Sequence, residues 1–142
     1  MHFETYTVNI PDSHSCVFAA VTSGEYCDFE NFEANCKAGY NLHVVQAIYG
    51  HMKLGKCITR DLGVFGCQTD VSDILSKHCN QQNQCSIYVH DEKLRSTTPC
   101  DRGITVYLDA IHACIQGEIF IPTNRPLSLS MTNDPNSEHF EV

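Results

Sequence analysis

A chain of 142 residues with 42% hydrophobic side chains and no tryptophan has room for one core, and nine cysteines in that length point to covalent staples supplementing it. The formal net charge of −8, with nine Lys and Arg scattered along the chain, excludes nucleic acid as a partner, because phosphate binding needs clustered cations. No window reaches the roughly 20 apolar residues of a membrane span, and no two cysteines form the C-x-x-C pair of zinc ribbons or redox sites.

Disulfides form in oxidising compartments, so the chain is expected to be extracellular, either secreted or part of the ectodomain of a membrane protein. Residues 2–9 hold neither a basic n-region nor an apolar h-region, and the chain is read as a processed ectodomain. It contains no Asn-x-Ser/Thr sequon.

In chain order, residues 1–26 carry one proline, a short apolar patch at 17–21 and the lone Cys16, and are expected to form an N-terminal arm. Residues 42–49 are rich in β-branched side chains, alternate roughly, and run up to Gly50, which predicts a strand. Residues 70–78 predict a helix: Asp70 stands at the cap with Asp73 three residues on, and Val71, Ile74, Leu75 and Cys79 share one face. Residues 86–89 and 104–108 repeat the strand pattern. Beyond Cys114, three prolines and a run of Ser, Thr, Asn and Asp predict that residues 116–142 form a largely flexible linker or tail. Strands outnumber helices. The expected class is α+β: a small, disulfide-rich antiparallel β-sheet sandwich of about five strands with one or two helices.

The order Cys27, Cys36, a strand ending in Tyr49-Gly50, Cys57, Cys67, a helix, Cys79, Cys85, Pro99-Cys100, Gly103, Tyr107-Leu108 and Cys114 resembles the rhamnose- and galactose-binding lectin domain first known from sea urchin eggs. The likeness covers residues 27–115 as the domain. It implies bridges Cys27–Cys57, Cys36–Cys114, Cys67–Cys100 and Cys79–Cys85, chosen from the many connectivities that eight cysteines allow. Cys16 is left over, as a free thiol or as an intermolecular bridge that would make a homodimer.

The resemblance also implies a shallow pocket for vicinal hydroxyls, in which a carboxylate accepts from two hydroxyls and a Lys or Arg donates to them. The family's acid after the first cysteine is Asp28 here, usually Glu. Its Tyr-Gly-Arg is Tyr49-Gly50-His51, which trades a permanent cation for a titratable ring. Its Asp-Pro-Cys is Thr98-Pro99-Cys100, which removes a carboxylate, and an extra residue, Asp101 or Arg102, precedes Gly103. The Lys of its Lys-Tyr-Leu is Val106, which donates nothing. The candidate pocket is thus Asp28, Tyr49, His51, Thr98, Gly103 and Val106, and it is expected to be degenerate. The partner is then an extracellular protein ligand or receptor, as in latrophilin-like adhesion receptors or the axon-guidance co-receptors with tandem lectin domains, whose second copy the Thr98-Pro99-Cys100 segment most resembles.

The competing expectation is a working rhamnose or galactose lectin in which His51, Arg102 or Lys93 replaces the missing cation. An enzyme built on Ser15 or Cys16 with one of eight histidines lacks any nucleophile signature such as Gly-x-Ser-x-Gly, so no catalytic role is expected. His78 and His112 lie beside Cys79 and Cys114, which the implied bridges occupy, so neither a metal nor any other cofactor is expected.

Overall fold

The computed structural model describes residues 4–9, 16–116 and 128–130, with side chains described for 20–116. Its elements are β1 (Glu4–Asn9), β2 (Cys16–Cys27), β3 (Asn31–Asn35), β4 (Tyr40–His51), β5 (Cys67–Asp70), α1 (Ser72–Cys79), β6 (Gln84–Tyr88), α2 (Glu92–Arg95), β7 (Tyr107–Gln116) and β8 (Ser128–Ser130). Six strands form an antiparallel sheet in the order β5-β4-β7-β2-β1-β8, and β3 pairs with β6 in a separate two-stranded ribbon. The class is α+β.

The core lies where α1, α2 and the β3–β6 ribbon meet the central strands of the large sheet. Phe32 and Ala34 from the ribbon, Leu42, Val44, Ala47 and Tyr49 from β4, Leu75 and Cys79 from α1, Leu94 from α2, and Leu108 and Ala110 from β7 are all buried there. On β4 the core-facing side chains are even-numbered up to Val44 and odd-numbered from Ala47. A bulge between Val44 and Gln46 shifts the register against β7 by one residue. The extra residue keeps one face of a strand with imperfect alternation turned toward the core throughout its length.

Three boundaries differ from the sequence expectation. Residue 26, the expected end of an arm, falls inside β2, which pairs with β7 from Ala19↔Ile115 to Cys27↔Tyr107; the segment before Cys27 is therefore an inner strand of the sheet. The helix starts at Ser72 rather than Asp70 because Asp70 closes the β5 ladder opposite Ile48 and the Val71 N–H donates to the Ala47 carbonyl at 2.8 Å. Asp70 still accepts from the Ser72 N–H at 2.8 Å, one residue ahead of the N-cap Val71. The strand expected at 104–108 begins at Tyr107, since Ile104 and Thr105 bond outside any ladder: the Ile104 N–H donates to Asp101 and the Thr105 carbonyl accepts from His51. Most of the expected tail, and the side chain of Cys16, lie outside the described residues. Within the tail, β8 pairs with β1.

Four disulfides join Cys27 to Cys57, Cys36 to Cys114, Cys67 to Cys100 and Cys79 to Cys85, the pairs the resemblance implies. The Cys36–Cys114 bridge ties the end of β3 to β7 and so joins the ribbon to the large sheet.

Two histidines on the central strands bear on stability in acid. His112 on β7 is 5% exposed and meets the Phe32 ring edge-on at 5.6 Å, and His43 on β4 lies 3.4 Å from the Asn80 side-chain amide. Burial holds both below the ordinary imidazole value. The unfolded chain then takes up protons that the fold refuses. Stability is full above about pH 6.5 and falls on acidification from there until each folded-state value is reached, by at most about 1.4 kcal/mol per pH unit for each ring. Urea unfolding between about pH 7.5 and pH 5 is expected to show this fall, with a shallower slope in His112→Leu.

Candidate functional site

The turn that follows β2 opens the candidate site. The Glu30 N–H donates to the Cys27 carbonyl at 2.9 Å, and the Cys27 N–H donates back to Glu30 Oε2 at 2.9 Å, so residues 27–30 form a closed, rigid corner. Across from it runs the 103–105 segment, where Gly103 has φ +88°. A Cβ at Gly103 would meet nothing within 4 Å, so the glycine is there for its backbone conformation and not for space. Between the two segments lies an open groove of about 510 Å³, lined by residues 27–30 and 103–105.

A carboxylate–imidazole hydrogen bond and an ion pair flank the groove. Asp28 Oδ1 lies 2.8 Å from Nδ1 of His90, which follows β6, and Lys56 Nζ donates to Glu30 Oε2 at 2.8 Å. The hydrogen bonds from Lys56 and from the Cys27 N–H hold the Glu30 carboxyl below its usual range. The Phe29 ring stacks on His90 with centroids 5.0 Å apart and 23° between planes, yet it is 75% exposed. Tyr88, 45% exposed, meets the same imidazole at a tilt of 55°, with centroids 6.1 Å apart.

Of the six residues that the sequence places in the pocket, the structure brings Asp28 and Gly103 to this groove. Tyr49 is fully buried, and its hydroxyl has no hydrogen-bond partner among the described residues. Burial, reinforced by Asp28, pushes it up to about 12, against the weaker pull of Arg95. Thr98 is turned inward to its own loop, its hydroxyl accepting from the Cys100 N–H at 3.2 Å. Val106 packs against the core. His51 is 3% exposed, stacks on Phe65 at 5.0 Å, and donates from Nδ1 to the Thr105 carbonyl at 2.6 Å. It lines a second, smaller cavity of about 200 Å³, with Arg60, Leu62 and Val64, which the 103–105 segment also lines.

Neither of the other proposed stand-in cations lines the groove: Lys93 lies on α2 with Nζ 3.4 Å from His78, and Arg102 is exposed beside Gly103. The sequence reading missed Phe29, Glu30, Lys56 and His90. The first two adjoin Asp28, and the implied Cys27–Cys57 bridge carries Lys56 to the same corner, so three of the four had a signal. His90 had none, because it reaches Asp28 from 62 residues away.

A comparison with protein-family models matches residues 34–114, more than half of the chain, to the D-galactoside/L-rhamnose binding SUEL lectin domain. A search of the curated proteins found no match. The matched span runs from β3 to β7 and holds seven of the eight bridged cysteines, missing only Cys27. With the four bridges and the helix-backed antiparallel sheet, this shows a lectin module of a binding rather than an enzymatic family, and the chain belongs to the D-galactoside/L-rhamnose-binding SUEL lectin domain family.

Proposed function

We propose that this domain is the binding module of an extracellular receptor or secreted protein, that its rhamnose/galactose pocket is degenerate, and that its ligand is a protein. The observation that carries this reading is the fate of the polar set. Among the six pocket positions, only Asp28 brings a charged side chain to the groove, while Val106 packs on the core and the Thr98 hydroxyl is engaged within its own turn. Each charge-assisted hydrogen bond lost from a small ligand costs about 1.5–3 kcal/mol, so two losses take a weak monosaccharide site beyond useful affinity. The aromatic rings of Phe29 and Tyr88, left open beside the groove, are the kind of anchor that protein interfaces use.

One observation favours a second reading, a working carbohydrate site. Glu30 and Lys56 place a carboxylate and an ammonium 2.8 Å apart beside Asp28, the chemistry that vicinal hydroxyls require. The two readings part on one result. Free L-rhamnose and D-galactose are expected not to saturate the domain in the millimolar range, and a saturable isotherm with either would favour the second reading.

A further inference from the structure

The groove is lopsided in charge. Both ionisable residues that line it, Asp28 and Glu30, are carboxylates, and Glu25 stands close by with its Oε2 accepting the Lys56 N–H at 2.8 Å. Against these three acids stands the Lys56 ammonium, which donates to the Glu30 carboxylate at 2.8 Å and reaches Glu25 only at its backbone carbonyl, 3.4 Å away. Arg95, an exposed residue of α2, acts electrostatically on the Tyr49 hydroxyl, as Asp28 does, but does not line the groove. The chain as a whole carries −8, so a second copy of it, or any acidic partner, meets like charge.

Beside the acids stands an aromatic platform with one free face. His90 backs Phe29 from one side at 5.0 Å and is itself fixed by Asp28 at 2.8 Å, so the outer face of an exposed phenyl ring is held next to a carboxylate. A flat guanidinium stacks on an aromatic face and donates in its own plane to a carboxylate at the edge, and a desolvated cation gains from both contacts. A ligand without a positive charge uses only the ring.

We infer that the partner inserts an arginine side chain, from a basic segment of an extracellular protein, into this groove, stacked on Phe29 and paired with Asp28. This rests on the protein-ligand reading above and adds the chemistry of the contact. Isotope-labelled full chain, titrated with N-acetyl-arginine amide and followed by amide chemical shifts, is the test, with N-acetyl-leucine amide, D-galactose and L-rhamnose as comparison probes. Arginine amide is expected to give saturable shifts at Phe29, His90 and Gly103. Asp28→Asn, which keeps an acceptor for His90, should weaken them about tenfold, Phe29→Ala about threefold, and added salt should weaken them further. Shifts of equal size from leucine amide, or arginine shifts indifferent to Asp28→Asn, overturn the inference. Saturation by galactose or rhamnose at the same residues overturns the protein-ligand reading beneath it. No saturation by any probe overturns the arginine contact alone.

Discussion

Replacing Cys36 and Cys114 together by alanine is expected to destabilise the domain by about 4.5 kcal/mol, against about 2 kcal/mol for Cys79 and Cys85 replaced in the same way. The difference follows from loop length. The first bridge spans 78 residues and the second 6, so the first removes far more freedom from the unfolded chain. The long bridge also couples two layers. Cys36 directly follows the ribbon strand β3 and Cys114 lies in β7 of the large sheet, whereas Cys79 and Cys85 link a helix to the strand that follows it. For a domain whose total stability is about 5–15 kcal/mol, the larger loss leaves little margin. Urea unfolding of the two double variants measures the order, and equal losses would show that the native state, not chain entropy, governs the effect.

Gly50→Ala is expected to cost about 2–5 kcal/mol, and Gly103→Ala only about 1–2 kcal/mol. Both glycines have positive φ, +155° and +88°, so both variants meet backbone strain. Only Gly50 also lacks space. A Cβ there would sit 2.2 Å from the Cys67 carbonyl oxygen and 2.7 Å from the Gln68 Cα, both backbone atoms of the neighbouring strand β5. Relief requires β5 to move away from β4, yet β5 is anchored by the Cys67–Cys100 bridge and leads directly into α1. Thermal or urea unfolding of the two variants compares a steric clash with a purely conformational penalty, and similar losses would refute the packing argument.

Gly50 also shows what the motif Tyr49-Gly50-His51 is for in this chain. Its tyrosine fills the core, its glycine admits β5, and its histidine fastens the 103–105 segment through Thr105. Residues that the resemblance assigns to ligand contact thus also hold the groove's walls. The core side of β4 was legible, because apolar residues at one end and the other announce a strand, although the bulge that reconciles Val44 with Ala47 was not. The helix face of Val71, Leu75 and Cys79 was legible for the same reason of period. β2 was hidden: its last residues, Thr22 to Cys27, are polar or small, and what makes them a strand is the partner β7 contributed from 80 residues downstream. β3 was overlooked although Phe32 and Ala34 alternate with polar neighbours, a signal short enough to pass for a loop. At the site, Asp28 was legible from the cysteine beside it. Val106 was not, because which way it turns depends on the ladder starting one residue later, at Tyr107.

The measurement that bears most directly on the degenerate pocket is a calorimetric titration of the domain with L-rhamnose and with D-galactose into the millimolar range, repeated on Asp28→Ala. The expected result is no saturable heat with either sugar and no difference between the two proteins, because Val106 and Thr98 stand where the resemblance implies an ammonium and a second carboxylate. Saturable heat in the parent chain that disappears in Asp28→Ala would contradict it and make this domain a working lectin.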